Sequence, residues 1–98
     1  MQQAIGFRLG RLYITPGAIE ALYQNYTTGA EYLTRHLSGD WGDIGDEDKA
    51  TNNQALENGA RILSAYRLKN GTRIWIITEA ANEQGERIAT TILLPEEY

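Results

Sequence analysis

Hydrophobic positions along the chain change rhythm three times. Ile5, Phe7 and Leu9 alternate on one face, whereas Leu12 and Ile14 continue on the opposite parity. A bulge at Gly10-Arg11 would reconcile the halves of one N-terminal strand. Thr15-Pro16 then reads as a helix N-cap followed by proline at the first helical position, where its missing N–H costs nothing. Ile19, Leu22, Tyr23 and Tyr26 recur at helical spacing and predict a first helix over about 16–26 with a single apolar stripe.

Thr28 and Glu31 form the Thr-x-x-Glu pattern of a capping box and open a second helix. Ala30, Leu33 and Leu37 line one side of it, Tyr32 and His36 lie four apart on another, and Gly39 is its stop. The segment "DEDKATNNQALENG" predicts a third helix, with acidic residues at the positive end of the helix dipole and Gly59 at its close. Only Ala50, Ala55 and Leu56 in it are apolar, so it belongs on the surface.

The C-terminal third switches to a period of two. "RILSAYRLKNGTRIWIITEA" holds two β-rich runs joined by Asn70-Gly71, the pair favoured in a two-residue type I′ turn. That turn sets Leu68 against Arg73, Tyr66 against Trp75 and Ser64 against Ile77 on one side. Arg67, Ala65 and Leu63 then face Ile74, Ile76 and Thr78 on the other. A third strand, "RIATTILL", follows the loop "NEQGE" with Thr90 beside Ile77 and Ile92 beside Trp75, and Pro95 ends it. The class is α+β: an N-terminal strand, two to three short helices and a C-terminal three-stranded antiparallel meander, four-stranded if the N-terminal strand joins.

In that register one face carries Ile62, Tyr66, Trp75, Ile77 and Ile92, and the other Leu63, Ala65, Ile74, Ile76 and Leu93. Neither is polar, so both need a cover. The smaller aliphatic face is expected to receive the helices. The Tyr66/Trp75 face is expected to stay partly open for a protein partner or a second copy of the chain.

Length and composition narrow the chemistry. The 98 residues make one domain, 1–98, near the size at which a second subunit often completes a core. No apolar run approaches the ~18 residues that cross a bilayer, and "MQQAIGFRLGRLYI" lacks the pattern of a secretory signal, so a cytoplasmic protein is expected. Zero cysteines and one histidine leave no ordinary zinc site and no cysteine nucleophile, and no cofactor is expected. The net charge of −4 and the scattered basic residues disfavour direct nucleic-acid binding.

"RHLSGDWGDIGDEDKATNN", then "RILSAY", "WIITEA" and "TTILLPEEY", together resemble a family of short bacterial proteins often labelled plasmid-related, found on mobile elements and in chromosomes. The resemblance runs from "ITPGA" to the last residue, and the combination of "GDWGD" with "ILLPEEY" is its specific part. It implies a bacterial, mobile-element setting and a compact domain, and carries over no catalytic roles. This chain departs from the family pattern at "ANEQGERIA", where the family has a shorter connection close to Asp-Arg-Ser; a longer hairpin arm is expected here.

The richest stretch for chemistry is "HLSGDWGDIGDEDKA", residues 36–50. Asp40, Asp43, Asp46, Glu47 and Asp48 offer oxygens to Ca²⁺ or Mg²⁺, but their spacing is not that of an EF-hand, and a metal is not favoured. The plainer expectation is a tight glycine turn, with Asp43 or Asp46 capping the third helix and Trp41 filling a gap between helices and sheet. An enzyme would use His36 oriented by Asp40 as acid or base, with Tyr66, Arg73 or Thr90 binding phosphate from the sheet in a metal-independent ribonuclease. The favoured reading is a small acidic protein-binding module whose contact residues are Asp43, Asp46, Glu47, Asp48, Tyr66 and Trp75. On a mobile element it would inhibit a host nucleic-acid-acting defence protein by imitating DNA phosphates.

Overall fold

The computed structural model describes residues 7–98, so the expectation for Ile5 lies outside the described residues. The elements run β1 (Arg11–Ile14), α1 (Pro16–Gln24), α2 (Gly29–Leu37), α3 (Asp46–Asn58), β2 (Ile62–Arg67), β3 (Arg73–Thr78) and β4 (Ala89–Leu93), with a 3-10 turn at Pro95–Glu97. The strands form one sheet in the order β1-β4-β3-β2, in which β1 runs parallel to β4 and the other pairs are antiparallel. The chain is α+β, and the N-terminal strand joins the meander as its fourth member.

The break in hydrophobic parity near residue 10 is not a bulge within one long strand. Gly10 takes φ +68°, and a Cβ there would overlap the Ile88 backbone, so β1 begins only at Arg11. Phe7 leaves the strand line and packs against His36 and Trp41 at ring-centre distances of 5.3 and 6.5 Å.

Helix α1 starts as expected: Pro16 opens it and the Thr15 hydroxyl accepts from the Ala18 N–H at 3.2 Å. Its buried face is not the predicted stripe. Ala18, Ala21 and Leu22 face the sheet, while Ile19, Tyr23 and Tyr26 are 54%, 81% and 98% exposed. Two alanines let the helix approach the strands closely, and bulkier side chains on that face would hold it off. At its end Asn25 donates to the Ala21 carbonyl at 2.8 Å and accepts from the Asn70 N–H at 3.0 Å, which ties the helix to the hairpin turn.

Helix α2 buries Tyr32 and His36. The capping box does not form: Thr28 is the N-cap without a side-chain bond, and Glu31 instead accepts from Thr27 at 3.1 Å. Helix α3 is capped by neither Asp43 nor Asp46. Gly45 is its N-cap, and Asp46, Glu47 and Asp48 make its first turn. Gly59, at φ +79°, closes it as expected.

The meander exists, but its register differs by one residue from the expected one. Tyr66 pairs with Ile74 and Ala65 with Trp75, so Tyr66 and Trp75 point to opposite faces. The cause is the turn. Only Gly71 has positive φ, at +92°; Asn70 does not, as a type I′ turn would require. The Gly71 N–H bonds the Leu68 carbonyl at 2.9 Å and the Leu68 N–H the Thr72 carbonyl at 2.8 Å, giving a three-residue loop with a glycine bulge. The β3–β4 register shifts likewise, with Ile77 opposite Thr91 and Trp75 opposite Leu93. The "ANEQGERIA" arm closes through an Ala81–Arg87 bridge and the Asn82 side chain, which accepts from the N–H groups of Gln84 and Glu86.

The helices therefore cover neither expected face as drawn: the slip puts Ile74 and Ile76 of the aliphatic set on one side with Tyr66, Leu68 and Ile92, and that mixed face packs under the helices. The opposite face is covered from within the chain. The Tyr98 ring packs edge-on against Trp75 at 5.8 Å and its hydroxyl oxygen accepts a hydrogen bond from Arg61, and the Thr15 hydroxyl holds Glu97.

The outer edge of β2 is closed as well. The Trp41 carbonyl and Asp43 N–H pair with Ala65 at 3.1 and 2.6 Å, and the Asn52 side chain bonds both the N–H and C=O of Leu63 at 3.2 and 2.7 Å. An asparagine amide thus takes the place of a neighbouring strand, which removes a site for unwanted pairing.

Candidate functional site

The chemistry of residues 36–50 splits into a buried part and an exposed part. His36 lies at 0% exposure beneath Phe7 and Trp41. Its Nδ1 is 2.6 Å from the Ser64 hydroxyl and its Nε2 2.9 Å from the Thr78 hydroxyl. Thr78 is 2.8 Å from Thr90, which donates to the Leu9 carbonyl at 2.8 Å.

That last bond fixes every proton in the chain. Thr90 spends its hydrogen on Leu9, so it accepts from Thr78. Thr78 then has no hydrogen for the imidazole, so Nε2 carries the proton and donates. Nδ1 is left bare and accepts from Ser64. His36 is therefore the neutral Nε2–H tautomer, and burial pushes its pKa down to about 4. Both ring nitrogens are satisfied and the ring is sealed, so it serves as a polar junction binding α2 to β2, β3 and β4.

Asp40 does not orient His36. Helix α2 ends at Leu37 and Gly39, at φ +88°, redirects the chain, so the carboxylate reaches Arg35 at 2.6 Å instead. The hydrogen bond with Arg35 holds Asp40 below the usual carboxylate range and raises Arg35 in turn. The same guanidinium sits 4.6 Å over the Tyr66 ring, whose hydroxyl donates to the Asp40 carbonyl at 2.7 Å. Burial pushes the Tyr66 hydroxyl up to about 12, so it stays protonated at neutral pH.

Of the residues expected to share a catalytic cleft, His36 and Thr90 meet through Thr78, while Tyr66 lies on the same face and bonds backbone. Arg73 lies on the opposite face, where it and Arg67 approach Asp43 at 3.4 Å each. Arg73 also donates to the Asp43 carbonyl at 3.0 Å. Asp43 is thus occupied by the chain's own arginines.

Asp46, Glu47 and Asp48 are exposed on the first turn of α3. Among the described residues, no group of three or more His, Asp or Glu side chains is placed to hold a metal. Trp41 is buried against Ala55 and Ile62, and its indole N–H donates to Asn53 at 3.0 Å, as expected of a residue filling the gap between helices and sheet. Trp75 is half-buried beneath Tyr98 and is not an open anchor.

Three groups escaped the sequence reading: Ser64 and Thr78 as partners of His36, and Asn52 as the edge lock. In the observed register Ser64, Thr78 and Thr90 are hydroxyls at inward positions of three strands, a signal that one buried polar side chain must answer them. No helix among the described residues is long and apolar enough to cross a membrane. Comparison with protein-family models, with curated proteins and with solved structures finds no match to this chain.

Proposed function

We propose that the chain is a cytoplasmic protein-binding module, not an enzyme, and that it presents its acidic α3 turn to a nucleic-acid-acting protein of the bacterial host. The observation that carries this reading is the placement of Asp46, Glu47 and Asp48. All three are exposed, on a helix start anchored on one side by the pairing of residues 41–43 with Ala65 and on the other by the Asn52 lock. Rigid carriage of charge limits the ordering cost of binding. The same carboxylates also favour the helix dipole. The mobile-element setting implied by the sequence resemblance supplies the class of target, a defence nuclease. Asp43, held by Arg67 and Arg73, contributes less than the other three.

The test is inhibition of DNA cleavage by a panel of restriction endonucleases. The wild-type protein should inhibit at least one member, and an Asp46→Lys, Glu47→Lys, Asp48→Lys variant with unchanged circular dichroism should not. Equal inhibition by both proteins, or RNA cleavage by the wild type that is lost in His36→Gln, would sink the proposal.

A further inference from the structure

The two edges of the sheet are treated differently. The β2 edge is closed by residues 41–43 and by Asn52, whereas β1 at the other edge carries no such lock among the described residues. Arg11 and Thr15 donate their N–H groups to the Ile88 and Ile92 carbonyls of the β4 side. In a parallel ladder the alternate residues face outward, so the N–H and C=O of Leu12 and Ile14 point away from the sheet. Leu12, Tyr13 and Ile14 are 46%, 50% and 36% exposed, and the strand holds no proline and no lysine to blunt it.

We propose that the chain forms a symmetric dimer in which β1 pairs antiparallel with β1 of a second copy, about a two-fold axis passing at Tyr13. Only that register uses both outward residues of each strand. Leu12 meets Ile14 of the second copy and Ile14 meets Leu12, giving four backbone hydrogen bonds and apolar contacts on the helix side of the sheet. The register also matches charge. Arg11 falls opposite Thr15 of the second copy, and the Thr15 hydroxyl holds the exposed carboxylate of Glu97, so each guanidinium lands beside a carboxylate. A register shifted by two residues would pair Gly10, whose φ of +68° is not that of a strand, and would separate those charges. The result is a continuous eight-stranded sheet from two four-stranded ones. This surface lies at the edge remote from the acidic turn, so the dimer would present two such turns facing apart.

Sedimentation of the wild-type protein should give twice the chain mass, and Leu12→Lys should give a monomer with unchanged circular dichroism. Arg11→Glu should weaken the dimer about fivefold, as for an exposed ion pair, and adding Glu97→Arg should restore it. Tyr13→Cys supplies the sole thiol of the chain. Residues facing across a non-hydrogen-bonded pair sit about 4.5 Å apart at Cα, within disulfide reach. This variant should therefore cross-link on oxidation much faster than Tyr23→Cys, which is more exposed but lies off the axis. A wild-type monomer at the highest soluble concentration, or equal cross-linking of the two cysteine variants, would overturn the proposal.

Discussion

Acidification from pH 7.5 to 5 should weaken the fold through His36. In the unfolded chain the imidazole takes up a proton near its ordinary pKa of 6.5, whereas burial holds it neutral in the fold down to about 4. Between those values the unfolded state binds more protons, so stability falls as the pH is lowered and is fully recovered above 6.5. With these two pKa values the loss from pH 7.5 to 5 is about 2 kcal/mol. The depressed carboxyls of Asp40 and Glu97 contribute their stabilisation above their unfolded values and lose it at lower pH, outside this window. Urea unfolding followed by tryptophan fluorescence at several pH values between 5 and 7.5 measures the slope.

His36→Gln is the matching perturbation, because a glutamine amide offers one acceptor and one donor at about the spacing of the two ring nitrogens. It should cost about 1–2 kcal/mol in packing at pH 7.5 and abolish the pH slope. A wild-type stability flat from pH 7.5 to 5, or an imidazole that titrates near 6.5 by NMR in the folded protein, would refute the neutral, Leu9-anchored network.

Two further outcomes follow from the β2 edge. Gly42→Ala should destabilise by about 2–4 kcal/mol, since φ there is +79° and a Cβ would overlap both the Ala65 carbonyl oxygen and the Tyr66 ring; thermal unfolding reads it directly. Asn52→Ala strips the lock from Leu63 and should cost about 1–3 kcal/mol, with faster turbidity growth on mild heating because an edge is exposed. An unchanged melting point in either variant would show that the edge closure contributes nothing.

Much of the fold was legible because it depends on local chemistry. Thr15-Pro16 and Gly59 are a helix start and stop in the structure as they are in the sequence. The errors in the sheet share one physical origin. A β-strand alternates faces with a period of two, so a single-residue change in turn length exchanges every partner. Asn-Gly permits both a two-residue and a three-residue turn, and the choice of the latter moved Trp75 away from Tyr66. The contact surface built on that pair disappears with it. For α1, spacing identified the large apolar residues, but burial went to the alanines that fit against the sheet.

The sequence by itself determined the α+β class, the order of the elements, the acidic start of α3 and the scarcity of catalytic chemistry, because each follows from residue type and local periodicity. Only the tertiary structure decided what His36 and the sheet faces are for. A histidine four residues from an aspartate is equally compatible with a base and with a sealed junction until strands distant in sequence bring Ser64, Thr78 and Thr90 to its ring. Strand order likewise left β1 at an edge and gave β2 its lock, since edges arise from long-range pairing that no local pattern encodes.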